Sequence, residues 1–318
     1  MANSEFRNSL LRANEKLIRT AKFALFGHDG KIRSGWRFAI FLVAFIFLGT
    51  VFGAAAMLLA TLMFGPAHPG SAIFLTLNGV VSTAVALFVG WLCGKFLENL
   101  PFEALGAAFK NRWLVNLLIG LVGGAITFAI GAGVGVLFGG LSFSFNSDAP
   151  ANSIASTLLI SFLVFAAAAA FEEALFRGYI LQTFVRSGLA WPAIIVTSLA
   201  FGAVHLGNPN ASWISSLNTA LAGIWFGVAY LQTRDLWFPT GLHLAWNWTQ
   251  GSIFGVEVSG LTDIVKQPLL RETDIGPTWL TGGDYGIEGG IATTVALVVS
   301  ILVIWFIPFG KNDTETAS

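Results

Sequence analysis

The segment AAAAAFEEALFRGYI, residues 166–180, places three charged side chains inside a run that is otherwise as apolar as a membrane span. These side chains are Glu172, Glu173 and Arg177. A charge near the middle of a bilayer costs about 3 kcal/mol or more, so such residues are rare and usually functional. The segment therefore predicts a membrane helix that carries a functional polar cluster.

The composition of the whole chain indicates a polytopic helical membrane protein. Of the 318 residues, 55% are hydrophobic and 11% are charged, whereas a soluble domain carries about 25% charged residues. The net charge is zero, which gives no sign of nucleic-acid binding. The expected fold class is an all-α, polytopic membrane helical bundle with the lipid bilayer around it.

Apolar runs divide the chain into three parts. Residues 1–37 are basic, with apolar residues at three- and four-residue spacing, which predicts an amphipathic helix on the membrane surface; a solvated tail is the alternative. Residues 38–310 are predicted to form a single transmembrane domain, and 311–318 a polar tail. A span needs about 20 residues. Eight runs approach this length, near 38–64, 71–95, 114–138, 154–181, 191–206, 212–231, 236–255 and 289–307.

The distribution of lysine and arginine predicts the orientation of these spans. With the N-terminus inside, fourteen of the 17 cations fall on cytoplasmic segments, as the positive-inside rule requires. Both termini are therefore expected in the cytoplasm. The long acidic segment 256–288 is expected outside, as a solvated surface.

Glycine recurs at four-residue steps in two predicted spans. Such steps let helices approach closely in lipid. Helix packing is the expected role, and narrowing of a substrate cleft is the alternative. The residues are Gly120, Gly124, Gly131, Gly135 and Gly139 in the third span, and Gly223 and Gly227 in the sixth.

Helical spacing assigns different surroundings to the charges of the 166–180 segment. Glu173 and Arg177 are four residues apart and share one helix face, whereas Glu172 points about 100° away. Arg177 is expected to neutralise Glu173 and to leave Glu172 facing another helix as a usable proton carrier. A purely structural ion pair accounts for Glu173 and Arg177 but leaves Glu172 unexplained.

His205 ends the predicted span that follows. It lies as many residues beyond the intervening turn as Glu172 lies before it, so two antiparallel helices place both residues at the same depth. An interfacial histidine is the structural alternative. Two further histidines, His28 and His68, fall outside all predicted spans.

His243 and Asn247 lie four residues apart in the seventh predicted span. Both can donate hydrogen bonds to one point, an arrangement that can stabilise an oxyanion. Hydrogen bonding between helices is the structural alternative for Asn247.

This set of residues suits hydrolysis. Glu172 and His205 would hold and deprotonate a water that attacks a peptide carbonyl, while His243 and Asn247 would bind the oxyanion, with no cofactor. Alternatively, Glu172, His205 and His243 would ligate a divalent metal ion such as zinc. A proton-coupled transporter built on the same cluster and a non-catalytic membrane scaffold are further alternatives.

Three motifs in order resemble the CAAX protease and bacteriocin-processing family of intramembrane endopeptidases, which includes the type II CAAX prenyl endopeptidases and the bacterial abortive-infection proteins. The similar region is about 150–255. The motifs are EExxxR with Glu172, Glu173 and Arg177, FxxxH with Phe201 and His205, and HxxxN with His243 and Asn247.

The resemblance implies an eight-helix membrane endopeptidase acting on a peptide or protein substrate, with membrane-anchored substrates among the candidates. It makes Glu172 the catalytic glutamate, His205 its water-binding partner, and His243 and Asn247 the stabilisers of the transition state. Glu173 and Arg177 correspond to residues that shape the site or contact substrate.

The same resemblance leaves two properties of the site open. The family has been described both as metalloproteases and as glutamate proteases, so metal dependence is not decided, and a prenylated substrate does not follow from membership. The segment HLGNPN at 205–210 resembles bacterial members, which makes the bacterial inner membrane the expected location. The site is expected to open towards the cytoplasm.

Overall fold

The structure is a computed structural model that describes residues 2–27, 30–65, 70–110, 112–262 and 264–307. Over these residues the chain folds as an all-α bundle, as predicted, and carries a two-stranded sheet. His28, His68 and the predicted tail lie outside the described residues. The helices are α1 (Ala2–Leu25), α2 (Ser34–Phe64), α3 (Ala72–Glu98), α4 (Trp113–Leu137), α5 (Ala151–Glu173), α6 (Leu181–Arg186), α7 (Ala190–Val204), α8 (Trp213–Thr233), α9 (Trp237–Trp248), α10 (Thr278–Thr281) and α11 (Ile291–Phe306).

Among the described residues, six helical segments are long and apolar enough to cross a membrane. They are α2, α3, α4, the continuous segment Ala151–Arg186, the segment Ala190–Gly207, and α8. The other two predicted spans correspond to shorter elements: α11 has 16 residues, and α9 continues as a π-helix to Ile253. Each of the eight predicted spans is thus largely helical, and the chain is a multi-pass membrane protein.

The helix that carries the charged cluster changes its geometry directly after the two glutamates. α5 passes into a π-helix, Ala174–Ile180, and then into α6. Gly178 has φ −69° and ψ −129°, outside the helical region, and breaks the helix there. π-helical turns are a common cause of kinks and occur frequently at functional sites. The equal rise assumed for the matching depths of Glu172 and His205 therefore does not hold along this whole segment.

α4 and α9 pack with their backbones in close contact because glycine lies at the crossing. A side chain at Gly120 would collide with the carbonyl oxygen of Phe238, and one at Gly124 with that of Leu242. Gly223 of α8 faces Ser198 of α7 in the same way. Small residues at such positions allow the close approach on which helix association in lipid depends. The predicted packing role is confirmed for Gly120, Gly124 and Gly223, but it is wrong for Gly139, because nothing lies within 4 Å of a Cβ added there.

Residues 254–262 and 264–290 form a folded cap over one end of the bundle. Apolar side chains of the cap are buried, among them Val256, Leu280 and Ile287. Strand β1 (Leu141–Phe145) pairs antiparallel with strand β2 (Leu270–Asp274), and this pairing ties the cap to the end of α4. The expectation of a solvated surface at 256–288 is therefore wrong for much of the segment, since its acidic residues alternate with apolar ones that pack.

α1 is helical, as predicted for the basic N-terminal segment. Its described side chains from Leu11 onwards are exposed, including Leu17 and Phe23. Its end is fixed to the start of α2, because Arg33 and Trp36 donate hydrogen bonds to backbone carbonyls of α1 at 2.8 and 3.1 Å. An exposed apolar face matches an amphipathic helix, and its position on a membrane surface stays a prediction.

We predict that Gly124→Ala lowers the stability of the bundle by about 1–3 kcal/mol, because a methyl group there forces α4 away from α9. Gly133→Ala is the matched control, since nothing lies within 4 Å of a Cβ at Gly133 on the same helix. The measurement is the midpoint of thermal unfolding in detergent. Equal midpoints for the two variants would contradict the packing assigned to α4 and α9.

A second prediction concerns the pH dependence of stability. Burial, followed by repulsion from Glu257 and Asp274, raises the pKa of Glu272 in the cap from its usual 4.5 to about 8. The folded protein therefore holds a proton that the unfolded chain releases, so this residue's contribution to stability is complete below pH 4.5 and is lost as the pH rises towards about 8. Glu272→Gln should make the stability of the fold depend less on pH over this range.

The test is the midpoint of thermal unfolding measured across this pH range. Asp148→Asn is the control, because Asp148 is an exposed carboxylate that pairs with Arg271, the neighbour of Glu272. The prediction fails if the wild-type midpoint does not fall with rising pH, or if it falls equally in Glu272→Gln. Either result would show that the burial of Glu272 does not cause a pH dependence of stability.

Candidate active site

The two glutamates at the end of α5 have different surroundings, as the helical spacing predicted. Glu173 is fully buried, and its Oε1 accepts a hydrogen bond from Nη1 of Arg177 at 3.0 Å. Arg177 is also buried, and its Nη2 donates to the carbonyl oxygen of Gly223 at 3.0 Å. The side chain of Glu172 is 24% exposed. The expected ion pair of Glu173 and Arg177 is therefore present, and Glu172 lies outside it.

His243 of α9 lies between the two carboxylates. Its Nδ1 is 2.9 Å from Oε1 of Glu173, the same oxygen that Arg177 contacts. Its Nε2 is 3.8 Å from Oε2 of Glu172, too far for a direct hydrogen bond. The ring stacks on Phe226 with centroids 4.6 Å apart. These contacts fix the ring plane and aim Nε2 towards Glu172.

His205 follows the last residue of α7 and begins a single 3-10 turn, His205–Gly207. Its Nδ1 is 2.7 Å from the carbonyl oxygen of Phe201. A carbonyl only accepts, so Nδ1 carries the hydrogen and, in the neutral ring, Nε2 keeps a lone pair. The helix ends here because the following residues include Gly207 and Pro209, which favour termination.

The predicted catalytic residues share one cavity, which has a volume of about 370 Å³. Glu172, His205, His243 and Asn247 all line it. Oε2 of Glu172 is buried and has no hydrogen-bond partner among the described residues. Glu173 and Arg177 are fully buried beside it rather than on its wall. The cavity therefore exposes one of the two adjacent carboxylates to a bound molecule.

Two phenylalanines hold the charged groups in place. The guanidinium of Arg177 lies 4.8 Å from the ring centre of Phe201 and 5.0 Å from that of Phe226. Phe201 also contacts the ring of His205 at 4.8 Å between centroids. A cation between aromatic faces is stabilised by their quadrupoles. Phe201, the first residue of the FxxxH motif, thus connects the buried ion pair to His205.

The cavity has a polar wall that was not predicted from the sequence. Glu288 of the cap lines it, accepts a hydrogen bond from Nε1 of Trp246 at 3.2 Å, and accepts two from Ser259, at 2.6 Å from the backbone and 2.8 Å from the hydroxyl. Trp246 belongs to the segment that carries the HxxxN motif. For Glu288 the only signal in the sequence was a general acidity of the loop.

The cavity lies at the end of the bundle that carries the cap. Its lining includes Leu75 near the start of α3, and its exposed residues are Asn78, Val204 and Leu261. The orientation expected from the charge distribution puts this end outside. The expected cytoplasmic opening is therefore inconsistent with that orientation, because the sequence did not reveal that the cap contributes to the cavity.

The residues fit a metal ion poorly. Within the part of the chain that the structure describes, no three His, Cys, Asp or Glu side chains are grouped so that they could hold one. The candidate ligands Glu172, His205 and His243 share the cavity but not a common coordination point. The zinc hypothesis consequently gains no support from the geometry.

A comparison with protein families identifies the region that contains all six polar residues. The model of the family described as "Type II CAAX prenyl endopeptidase Rce1-like" matches residues 154–249, less than a third of the chain. The match runs from within α5 to the end of α9. No curated protein matches the chain.

We predict losses of stability of different size for substitutions of the two glutamates. Glu173→Ala should cost about 3–5 kcal/mol, because it leaves the buried charge of Arg177 without its carboxylate. Glu172→Ala should cost far less, since Oε2 of Glu172 makes no hydrogen bond with the described residues. The measurement is thermal unfolding of the two variants in detergent. Similar losses would mean that Arg177 depends on both carboxylates equally.

Proposed function

Because residues 154–249 are a domain of the Rce1-like, type II CAAX prenyl endopeptidase family, we propose that the chain is an intramembrane endopeptidase that hydrolyses a peptide bond with an activated water. One observation carries the proposal. Glu173 is hydrogen-bonded to Arg177 and His243, whereas the side chain of the adjacent Glu172 is 24% exposed and lines the same cavity as His205.

Glu172 is the general base in this mechanism. A water in the cavity donates one hydrogen bond to the carboxylate of Glu172 and a second to the Nε2 lone pair of His205. Glu172 takes a proton as the water oxygen bonds to the peptide carbonyl carbon. The same carboxyl group then gives this proton to the leaving nitrogen as the carbon–nitrogen bond breaks. Such positioned proton transfer typically accelerates a reaction about 10²–10⁴-fold.

Asn247 and His243 stabilise the oxyanion of the tetrahedral intermediate. The amide of Asn247 is a donor in any protonation state. His243 donates from Nε2 only as an imidazolium, because Nδ1 already faces Glu173. Nδ1 of His243 lies 2.9 Å from Oε1 of Glu173, and its Nε2 lies 3.8 Å from Oε2 of Glu172. The ion pair below the cavity thus orients the ring of His243.

Glu173 and Arg177 support the site rather than contact substrate. Their side chains are 0% and 1% exposed, so a peptide in the cavity does not reach them. Their contribution is to hold α5, α8 and α9 in register and to orient His243.

The substrate is a peptide or protein segment that enters from the membrane. The cavity lining combines the polar residues Glu288 and Ser259 with apolar ones, which include Leu75, Val164, Phe165 and Phe171. This lining suits an extended segment with apolar side chains near the cleaved bond. We further propose a bacterial inner membrane with cytoplasmic termini as the location, on the charge distribution and the HLGNPN segment.

A proton-coupled transporter that uses the same buried cluster is the alternative function. The break of the helix at Gly178 is a feature that such transporters share. The cavity, however, is lined by the cap at one end of the bundle, whereas transport sites lie near the bilayer midplane. The hydrolytic function therefore has more support.

We predict that Glu172→Gln and His205→Gln each lower the cleavage rate of a peptide substrate by about 10²–10⁴-fold, because each loses a group that holds or deprotonates the water. The measurement uses the protein in liposomes with a peptide library and mass spectrometry of the products. Glu103→Gln is the control, since this exposed carboxylate pairs with Lys110 outside the cavity. Cleavage by both site variants at the wild-type rate would refute the mechanism, and loss of cleavage on chelation would favour the metal-dependent version.

A further inference from the structure

A second cavity, of about 890 Å³, lies at the other end of the bundle. Three membrane-spanning segments end on it: α2 begins at Ser34, α3 ends at Glu98, and the segment Ala151–Arg186 ends at Arg186. Along α3, Leu75 of the first cavity and Glu98 are 23 residues apart, or about 35 Å. The ends of the spans place this cavity at the boundary between membrane and water.

Cationic side chains dominate the described lining of this cavity. Glu98 is its one carboxylate there, and it is already held by Arg37 at 2.7 Å and by Arg186 at 2.9 Å. Arg33 adds a third arginine to this lining. The single carboxylate of Glu98 cannot neutralise three arginines, so the described lining attracts an anion.

The geometry of the cationic groups is fixed by the fold. Arg37 is 5% exposed and donates from Nε to the carbonyl oxygen of Ile32 as well as to Glu98. Arg33 donates from Nε to the carbonyl oxygen of Phe23 at 2.8 Å, and its guanidinium lies over the ring of Phe23. The carbonyl oxygens of Ile32 and Phe23 are neutral partners that orient the two guanidinium groups without removing their charge.

The first turn of α2 adds a further feature that favours anions. Ser34 and Gly35 line the cavity. The N-terminus of a helix presents unpaired backbone amides and the positive end of the helix dipole, which together bind phosphate groups. Gly35 leaves that backbone accessible, because nothing lies within 4 Å of a Cβ added there.

We propose that this cavity binds the phosphate group of an anionic phospholipid. Arginine forks and helix N-termini both match the geometry of phosphate oxygens. A lipid, rather than a soluble phosphate, is favoured by the three span ends that meet here. Basic pockets between membrane helices are suited to such headgroups. Trp36, which is 50% exposed beside the cavity, is placed as interfacial tryptophans are.

The test measures the stabilisation that a ligand gives to the folded protein. Purified protein in a neutral detergent receives short-chain phosphatidylglycerol, short-chain phosphatidylcholine or inorganic phosphate at matched ionic strength. We expect phosphatidylglycerol to raise the midpoint of thermal unfolding, and the other two to raise it much less. An equal effect of inorganic phosphate would overturn the lipid assignment, and no effect of phosphatidylglycerol would overturn the site.

Two variants locate the effect, with a control. In Arg33→Gln, the apparent affinity for phosphatidylglycerol should fall about tenfold or more, because a charged hydrogen bond is lost. Gly35→Glu should abolish the response while the helix remains stable, since an acidic residue in the first turn is favourable for folding.

Arg112→Gln is the control, because Arg112 is an exposed cation outside the cavity lining. It should respond to phosphatidylglycerol as the wild type does. A wild-type response in the other two variants, or an equal loss in Arg112→Gln, would contradict the proposed site.

Discussion

The buried carboxylate of Glu173 is the constraint on which the rest of the site depends. A fully buried charge without partners costs several kcal/mol, so the bundle must supply them. Arg177 comes from the π-helix after α5, and His243 comes from α9. The carbonyl oxygen of Gly223 in α8 accepts a further hydrogen bond from Arg177. Three helices are therefore held in one register by a single carboxylate.

The position of Glu172 follows from this arrangement. Once Glu173 points into the ion pair, the neighbouring side chain must point about 100° away along the helix surface. That direction is the cavity, where His205 and Asn247 arrive from α7 and α9. Glu172 and Glu173 thus have different surroundings, because only Glu173 belongs to the buried hydrogen-bond network. The close packing of α4 on α9 holds the donor helix at the required distance.

The local features of this arrangement could be predicted from the sequence. The pairing of Glu173 with Arg177 requires only a spacing of four residues on a helix, and the spans follow from apolar runs of sufficient length. The cap could not be predicted in this way. Glu288 reaches Ser259 and Trp246, which are 29 and 42 positions away, and no periodic pattern links them. Likewise, the pairing of β1 with β2 and the contact of Arg37 with Glu98, 61 positions apart, depend on the assembled bundle.

The molecule has two polar regions at opposite ends of α3, and they follow the same principle. In each, one buried carboxylate holds basic side chains in a fixed geometry: Glu173 contacts Arg177 and His243, and Glu98 contacts Arg37 and Arg186. Other polar residues of each region line a cavity. In the first region they include Glu172 and Asn247; in the second they include Arg33 at the membrane boundary.

A double-mutant cycle on the cleavage rate tests whether Glu172 and His205 act on one water. Wild type, Glu172→Gln, His205→Gln and the double variant are compared in the same liposomes. Groups that act as a unit give strongly non-additive losses. The account predicts that the double variant is no slower than the more impaired single variant. Losses that multiply in the double variant would show that the two residues act independently and would contradict the account.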